Sequence, residues 1–199
     1  MSSEQSTGPV RHHDQGEWLA RFADRVLVVC PRCGGRADVT GRPGLPALKY
    51  YSELLFRPRR LTCAACGVNA EWEAAVRGGG LVAAQLGGTE DPFFLRPLWL
   101  QTRCAGRVLW AYNVAHVDAL AAYVRATLRE GGTGATRAML PRLPRWMKES
   151  GHRAEVLAGL ERLRTLSERS APAHRSDAAH EHGDHARPYG AGYFRGGPY

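Results

Sequence analysis

Cys30-Pro31-Arg32-Cys33-Gly34-Gly35 recurs in outline as Cys63-Ala64-Ala65-Cys66-Gly67, each a pair of cysteines separated by two residues and followed directly by glycine. A two-residue spacer lets both sulfurs of one tight turn reach a single ion, while amides of the same turn point at the thiolates and offset their charge. The glycine supplies a backbone conformation that other residues reach only at a cost. Two such knuckles, each entered by a β-like segment, predict a ribbon of two hairpins. In it Cys30, Cys33, Cys63 and Cys66 hold one structural Zn2+ tetrahedrally, with Zn–S distances of about 2.3 Å.

About thirty residues separate the pairs, longer than the compact ribbon spacing, so residues 41–60 are read as an insertion at the ribbon's far end. Disulfides would not call for the glycines, and thioredoxin-like chemistry uses a single C-x-x-C beside a βαβ pattern, which this chain lacks. Four thiolates close the coordination shell and quench the Lewis acidity of the ion, so the metal is expected to fold the ribbon and not to catalyse. The zinc-deaminase signature is also missing, since no H-x-E precedes a P-C-x-x-C pair. Cys104, the fifth cysteine, reads as a small buried hydrophobe.

The chain has 199 residues, enough for one real core, and 44% of them are hydrophobic. Lysine plus arginine number 27 against 19 acidic residues, giving +8, and Lys49 and Lys148 are the only lysines. Such a balance favours polyanionic partners; a GC-rich coding composition would give the same arginine excess. Two basic groups are candidates for nucleic acid: Arg57, Arg59 and Arg60 near Tyr50, Tyr51 and Phe56, and Arg142, Arg145 and Lys148 around Trp146. Cations interleaved with aromatics can hold phosphates and stack on bases. The competing reading is a solvated face with its aromatics turned inward, Trp146 serving as a core anchor.

Met1 to Arg11 is polar, unlike a signal peptide, and no later stretch approaches the roughly 18 apolar residues of a membrane span. The expectation is a cytoplasmic protein without a membrane partner, and no small-molecule substrate is evident. Trp18, Leu19 and Phe22 predict a short helix, and strands are expected at 25–29, 36–40, 59–62, 69–76 and 81–86. A further pair is expected at 93–100 and 108–112. Asn113 is a plausible N-cap for a helix carrying Val117, Leu120, Ala121, Val124 and Leu128 on one face and ending at Gly131-Gly132. A second amphipathic helix spans 153–168. His116, in the first turn, is read as a capping or packing residue. Beyond Ser170, the His-, Gly- and Arg-rich stretch with His174, His180, His182 and His185 has little to bury, and Arg195-Gly196-Gly197 is one faint RGG-like copy.

Three blocks carry a family resemblance: the two knuckles; Asp91-Pro92-Phe93-Phe94 through Leu98-Trp99-Leu100 to Leu109-Trp110-Ala111-Tyr112-Asn113; and Leu143-Pro144-Arg145-Trp146-Met147-Lys148. On these the chain resembles a bacterial family described as containing a transcription-factor-IIB-type zinc ribbon. The resemblance covers about residues 25–168 and implies a zinc site and a mixed fold, with no activity specified. Family members typically follow the position of Lys148 with Lys-Asn-Arg, whereas Glu149 to Arg153 here keeps only the arginine, removing positive charge from the connector.

The expected fold is therefore α+β: an N-terminal four-cysteine zinc ribbon with a small antiparallel sheet, followed by two main amphipathic helices. The expected organisation is a flexible leader (1–15), the ribbon with its insertion (16–88), a mixed β/helical region packed on it (89–169) and a disordered tail (170–199). The expected function is that of a non-catalytic binding module that contacts nucleic acid or a protein of the transcription or replication machinery. The alternative is a protein-interaction or structural subunit without nucleic-acid binding.

Overall fold

The computed structural model describes residues 11–130, 138–180 and 193–194. In chain order the elements are β1 (Arg11–His13), β2 (Val26–Val29), β3 (Arg36–Gly41), β4 (Arg59–Thr62), β5 (Asn69–Trp72), β6 (Val76–Arg77), β7 (Gly80–Val82), β8 (Leu100–Cys104), β9 (Arg107–Ala111), α1 (Val114–Arg125), β10 (Leu128–Glu130), α2 (Arg145–Lys148), α3 (Arg153–Ser167) and β11 (Tyr193–Phe194). The fold is α+β. Its main sheet is an antiparallel meander, β2-β3-β4-β5, and β8 pairs with β9 in a separate hairpin. Among the described residues no helix is long and apolar enough to cross a membrane.

β2 is buried at every position, which its unbroken Val-Leu-Val-Val sequence permits and a half-solvated strand would not. One edge pairs with β3. On the other side Leu27 N–H donates to Tyr112 O at 2.9 Å, Val29 N–H to Pro97 O at 2.9 Å, and Trp99 N–H donates to Leu27 O at 2.9 Å. The sheet and the β8–β9 hairpin thus share one core, with Trp99, Leu98, Leu100 and Tyr112 fully buried beside it. Trp99 Nε1–H donates to Leu166 O at 3.1 Å and so ties this core to the last turn of α3.

α3 packs on α1 and across β8 and β9. Gly159 permits the approach, since a Cβ there would lie 2.8 Å from Leu109 Cδ2. The β8–β9 turn is Ala105-Gly106, both at positive φ (48° and 67°), as a two-residue hairpin of right-handed twist demands. The Glu155 carboxylate from α3 accepts the Ala105 N–H.

Several boundaries differ from the sequence expectation. Residues 93–99 are not a strand: buried Asp91 accepts the amides of Phe93 (2.9 Å), Phe94 (2.8 Å) and Arg96 (2.6 Å), curling the chain into a turn, and the partner of β9 begins at Leu100. The strand expected over 69–76 stops at Trp72, and β6 and β7 form their own hairpin. Helix α1 ends at Arg125, because Ala126 is extended and buried and Leu128 enters β10, which pairs in parallel with β1. The expected helix end at Gly131-Gly132 lies outside the described residues.

Arg11–His13, assigned to a flexible leader, is therefore a sheet strand; residues 1–10 lie outside the described residues. The first part of the expected tail is ordered. Residues 172–174 and 177–180 form 3-10 turns, with Ala178 and Ala179 buried, because small apolar residues fill space that periodicity does not reveal. β11 pairs with β7, while His182, His185 and the RGG-like copy lie outside the described residues. The four cysteines are also not at the extreme N-terminus, since β1 and a 3-10 turn over Leu19–Ala23 precede the main sheet.

Asn113 caps α1 as expected: its Oδ1 accepts the His116 N–H at 3.0 Å. Its Nδ2 adds a role that no local pattern announces, donating to Phe22 O (2.8 Å) and Arg25 O (2.7 Å) and so fastening the start of the helix to the chain entering β2. Asn113→Ala removes all three bonds and is expected to cost about 2 kcal/mol of stability, read as a fall in the urea unfolding midpoint at unchanged slope.

Candidate metal centre

β2 delivers Cys30 and β3 leaves after Gly35; β4 delivers Cys63 and β5 leaves after Val68. Because β3 pairs with β4, the two turns are set side by side at one end of the sheet. The turns are built alike. Cys30 N–H donates to Gly35 O (2.7 Å) and Gly34 N–H to Cys30 O (3.1 Å); Cys63 N–H donates to Val68 O (3.0 Å) and Gly67 N–H to Cys63 O (2.9 Å). Gly34 (φ 74°) and Gly67 (φ 71°) occupy the left-handed region at equivalent places, which is why glycine follows each pair.

The four sulfurs lie within 4.8 Å of one another, with Cys30 and Cys63 buried and Cys33 and Cys66 half-buried. In a tetrahedron with metal–sulfur bonds of about 2.3 Å the sulfurs are about 3.8 Å apart. Cys30 Sγ is 3.6 Å from Cys66 Sγ, and Cys33 Sγ is 3.7 Å from Cys63 Sγ. These separations are far beyond a disulfide's and suit one ion held by all four residues. A tetrahedral set of four sulfur donors suits zinc or iron and leaves no position for water.

The electrostatics point the same way. Burial would raise the Cys30 thiol, but the Cys33 and Arg32 amides and the neighbouring thiols outweigh it and bring it down to about 7. Arg32 N–H lies 3.4 Å from Cys30 Sγ. The amide of Gly35 favours a thiolate at Cys33, yet burial and the sulfurs of Cys30, Cys63 and Cys66 prevail and push it up to about 12. Cys66 is likewise raised: the Val68 amide favours its thiolate, but burial, Cys30 and Cys63 win. One thiolate forms readily and the next must ionise against it, so a full set of four needs a cation at its centre. At pH 7 the uptake of one metal ion is accordingly expected to release more than about two protons. Affinity should rise with pH and fall as acidification re-protonates the sulfurs; calorimetric titration in buffers of different ionisation enthalpy measures both.

The segment after α3 braces the first knuckle, a support that the sequence did not signal. Arg36 N–H donates to Ser170 O at 2.9 Å, and the Arg36 guanidinium donates to Ser167 O and Arg169 O at the end of α3. A Cβ on Gly35 would lie 2.7 Å from Ser170 O, a backbone atom that cannot swing aside. Gly35→Ala is expected to destabilise the metal-loaded chain by about 1–3 kcal/mol and to weaken metal retention against a chelator, whereas Ala64→Ser in the second knuckle changes neither.

The candidate nucleic-acid residues fare unevenly. Arg59 is withdrawn, because it is fully buried. Its guanidinium donates to Asp24 O (3.1 Å) and Leu54 O (2.8 Å) and lies 4.3 Å from the Phe93 ring centroid. Burial lowers its pKa to about 10, with Arg57 adding to the fall and Asp24 opposing it, so it remains a cation and a tie between segments. Arg57 donates to Pro46 O at 2.6 Å, and Arg60 pairs with Glu71 at 3.2 Å. In the second group, Arg145 pairs with Glu149 at 3.0 Å while 92% exposed, and Lys148 Nζ donates to Pro141 O at 3.1 Å. The two groups ride on elements with different neighbours: β4 packs with β3 and β5, α2 with α3 and the turn after it.

Cys104 is buried and its thiol is raised by burial first and then by Glu155, in line with an inert core residue. Comparison of the chain with protein-family models, with characterised proteins and with solved structures gives no match.

Proposed function

We propose that the chain is a zinc-ribbon protein in which Cys30, Cys33, Cys63 and Cys66 hold one structural Zn2+, and that it works in the cytoplasm as a non-catalytic binding module. The observation that carries this reading is the convergence of four sulfurs on tetrahedral spacing at the tips of two paired hairpins. A closed thiolate shell gives the ion a folding role and no site for substrate. The resemblance to the transcription-factor-IIB-type zinc-ribbon family fits the same residues. Purified protein is expected to contain one zinc per chain. The pair Cys63→Ser and Cys66→Ser should lose that zinc and the cooperative thermal transition of the sheet.

The net charge of +8 supports a polyanionic partner, either nucleic acid or a component of the transcription or replication machinery. With Arg59 buried, Arg142, Arg145 and Lys148 are the stronger of the two groups for that contact. A protein partner without nucleic acid is the second reading. It is favoured by the engagement of the ribbon's own cations, since Arg42 pairs with Glu73 at 2.8 Å and Arg60 with Glu71. Fluorescence anisotropy with mixed-sequence single- and double-stranded oligonucleotides separates the two. On the first reading binding appears at low salt, weakens steeply as salt rises, and drops by about tenfold in the double variant Arg145→Gln, Lys148→Gln. Absence of binding at low salt leaves the second.

A further inference from the structure

Away from the cysteines, a cavity of about 410 Å3 opens between the β8–β9 hairpin, α1 and the α2 region. Its volume falls in the range of small-molecule sites. Three tryptophans line it: Trp18, Trp110 and Trp146. Each is only half-buried, in contrast to Trp99, which is sealed in the core. Leaving three indoles around open space forfeits burial that a better-packed core would gain, and such unfilled apolar surface marks a place where something else packs.

The wall of the cavity also holds His116, which is 2% exposed. Its Nδ1 accepts the Tyr112 N–H at 3.3 Å, and this fixes the proton of the neutral ring on Nε2. The ring is clamped by Phe22, stacked at 4.9 Å, and by the edges of Trp110 and Tyr112, both at 5.7 Å. Burial pushes its pKa down to about 3, so the imidazole stays neutral at physiological pH. Among the described residues its Nε2–H meets no hydrogen-bond acceptor. His116 belongs to the cavity wall, where this N–H is a donor that a bound molecule could engage. Arg142, exposed at the rim, adds a fixed positive charge.

We propose that this cavity binds a small aromatic carboxylate, with the ring among the indoles, an oxygen accepting from His116 Nε2–H and the negative charge facing Arg142. Planar apolar walls select a flat ring. A neutral imidazole N–H in the wall suits an acceptor oxygen, and the arginine distinguishes an anion from a neutral molecule of the same shape. The site lies apart from the cysteine cluster and does not depend on the identity of the metal.

Isothermal titration of the full-length, metal-loaded chain with 2-naphthoate, and with naphthalene-2-carboxamide as the uncharged analogue, tests this. The expected result is saturable binding of one naphthoate with a Kd below about 1 mM. Arg142→Gln should weaken naphthoate about tenfold and leave the carboxamide within about twofold. Trp146→Ala should weaken both. His116→Phe, used if its circular dichroism and metal content match the parent chain, should also weaken both; if it does not fold, the other two variants decide. No saturable heat up to about 1 mM, or naphthoate binding unchanged by either Arg142→Gln or Trp146→Ala, overturns the proposal.

Discussion

Four cysteine sulfurs brought within 4.8 Å of one another cannot all ionise unless a cation lies among them. That constraint gives the sheet its geometry. The hairpins must be paired through β3 and β4 so that both turns sit at one end. Each turn must carry a left-handed glycine after its second cysteine so that backbone amides face the sulfurs. On the proposed reading zinc closes this arrangement, and binding energy from the ion then becomes folding energy for strands that bury little on their outer edge.

The constraint propagates because β2 serves two structures at once. It ends in Cys30, and it is the central strand of the core, bridged to Pro97–Trp99 and Tyr112 on the side away from β3. Through Trp99 the same core reaches the end of α3, and the chain beyond α3 returns to brace Gly35 and Arg36. The first knuckle is therefore held from two directions, whereas Gly67 in the second has open space around it.

What could be read from the sequence was what local chemistry encodes. The cysteine spacing, the strands around Arg36 and Arg59, the Asn113 cap and the apolar stripe of α3 each announce themselves within a few residues. The rest depends on distant partners. β1 and β10 pair across more than a hundred residues of chain, and no pattern in Arg11–His13 foretells it. Arg57, Arg59 and Arg60 look alike in sequence, yet only Arg59 meets the backbone carbonyls of Asp24 and Leu54 and the Phe93 ring, so burial of a cation could not be assigned to it beforehand. Asp91 reads as the first half of an Asp-Pro turn, but its capture of three amides, which ends the expected strand, emerges only once the loop closes. The aromatic cavity draws its walls from several separate segments, and its tryptophans are indistinguishable in sequence from core residues such as Trp99.

X-ray absorption at the zinc K-edge of the purified full-length protein examines the cysteine cluster most directly. The predicted result is a first shell of four sulfurs at about 2.3 Å with no nitrogen or oxygen neighbour. A shell containing light atoms, or protein that carries no zinc when folded, would contradict it.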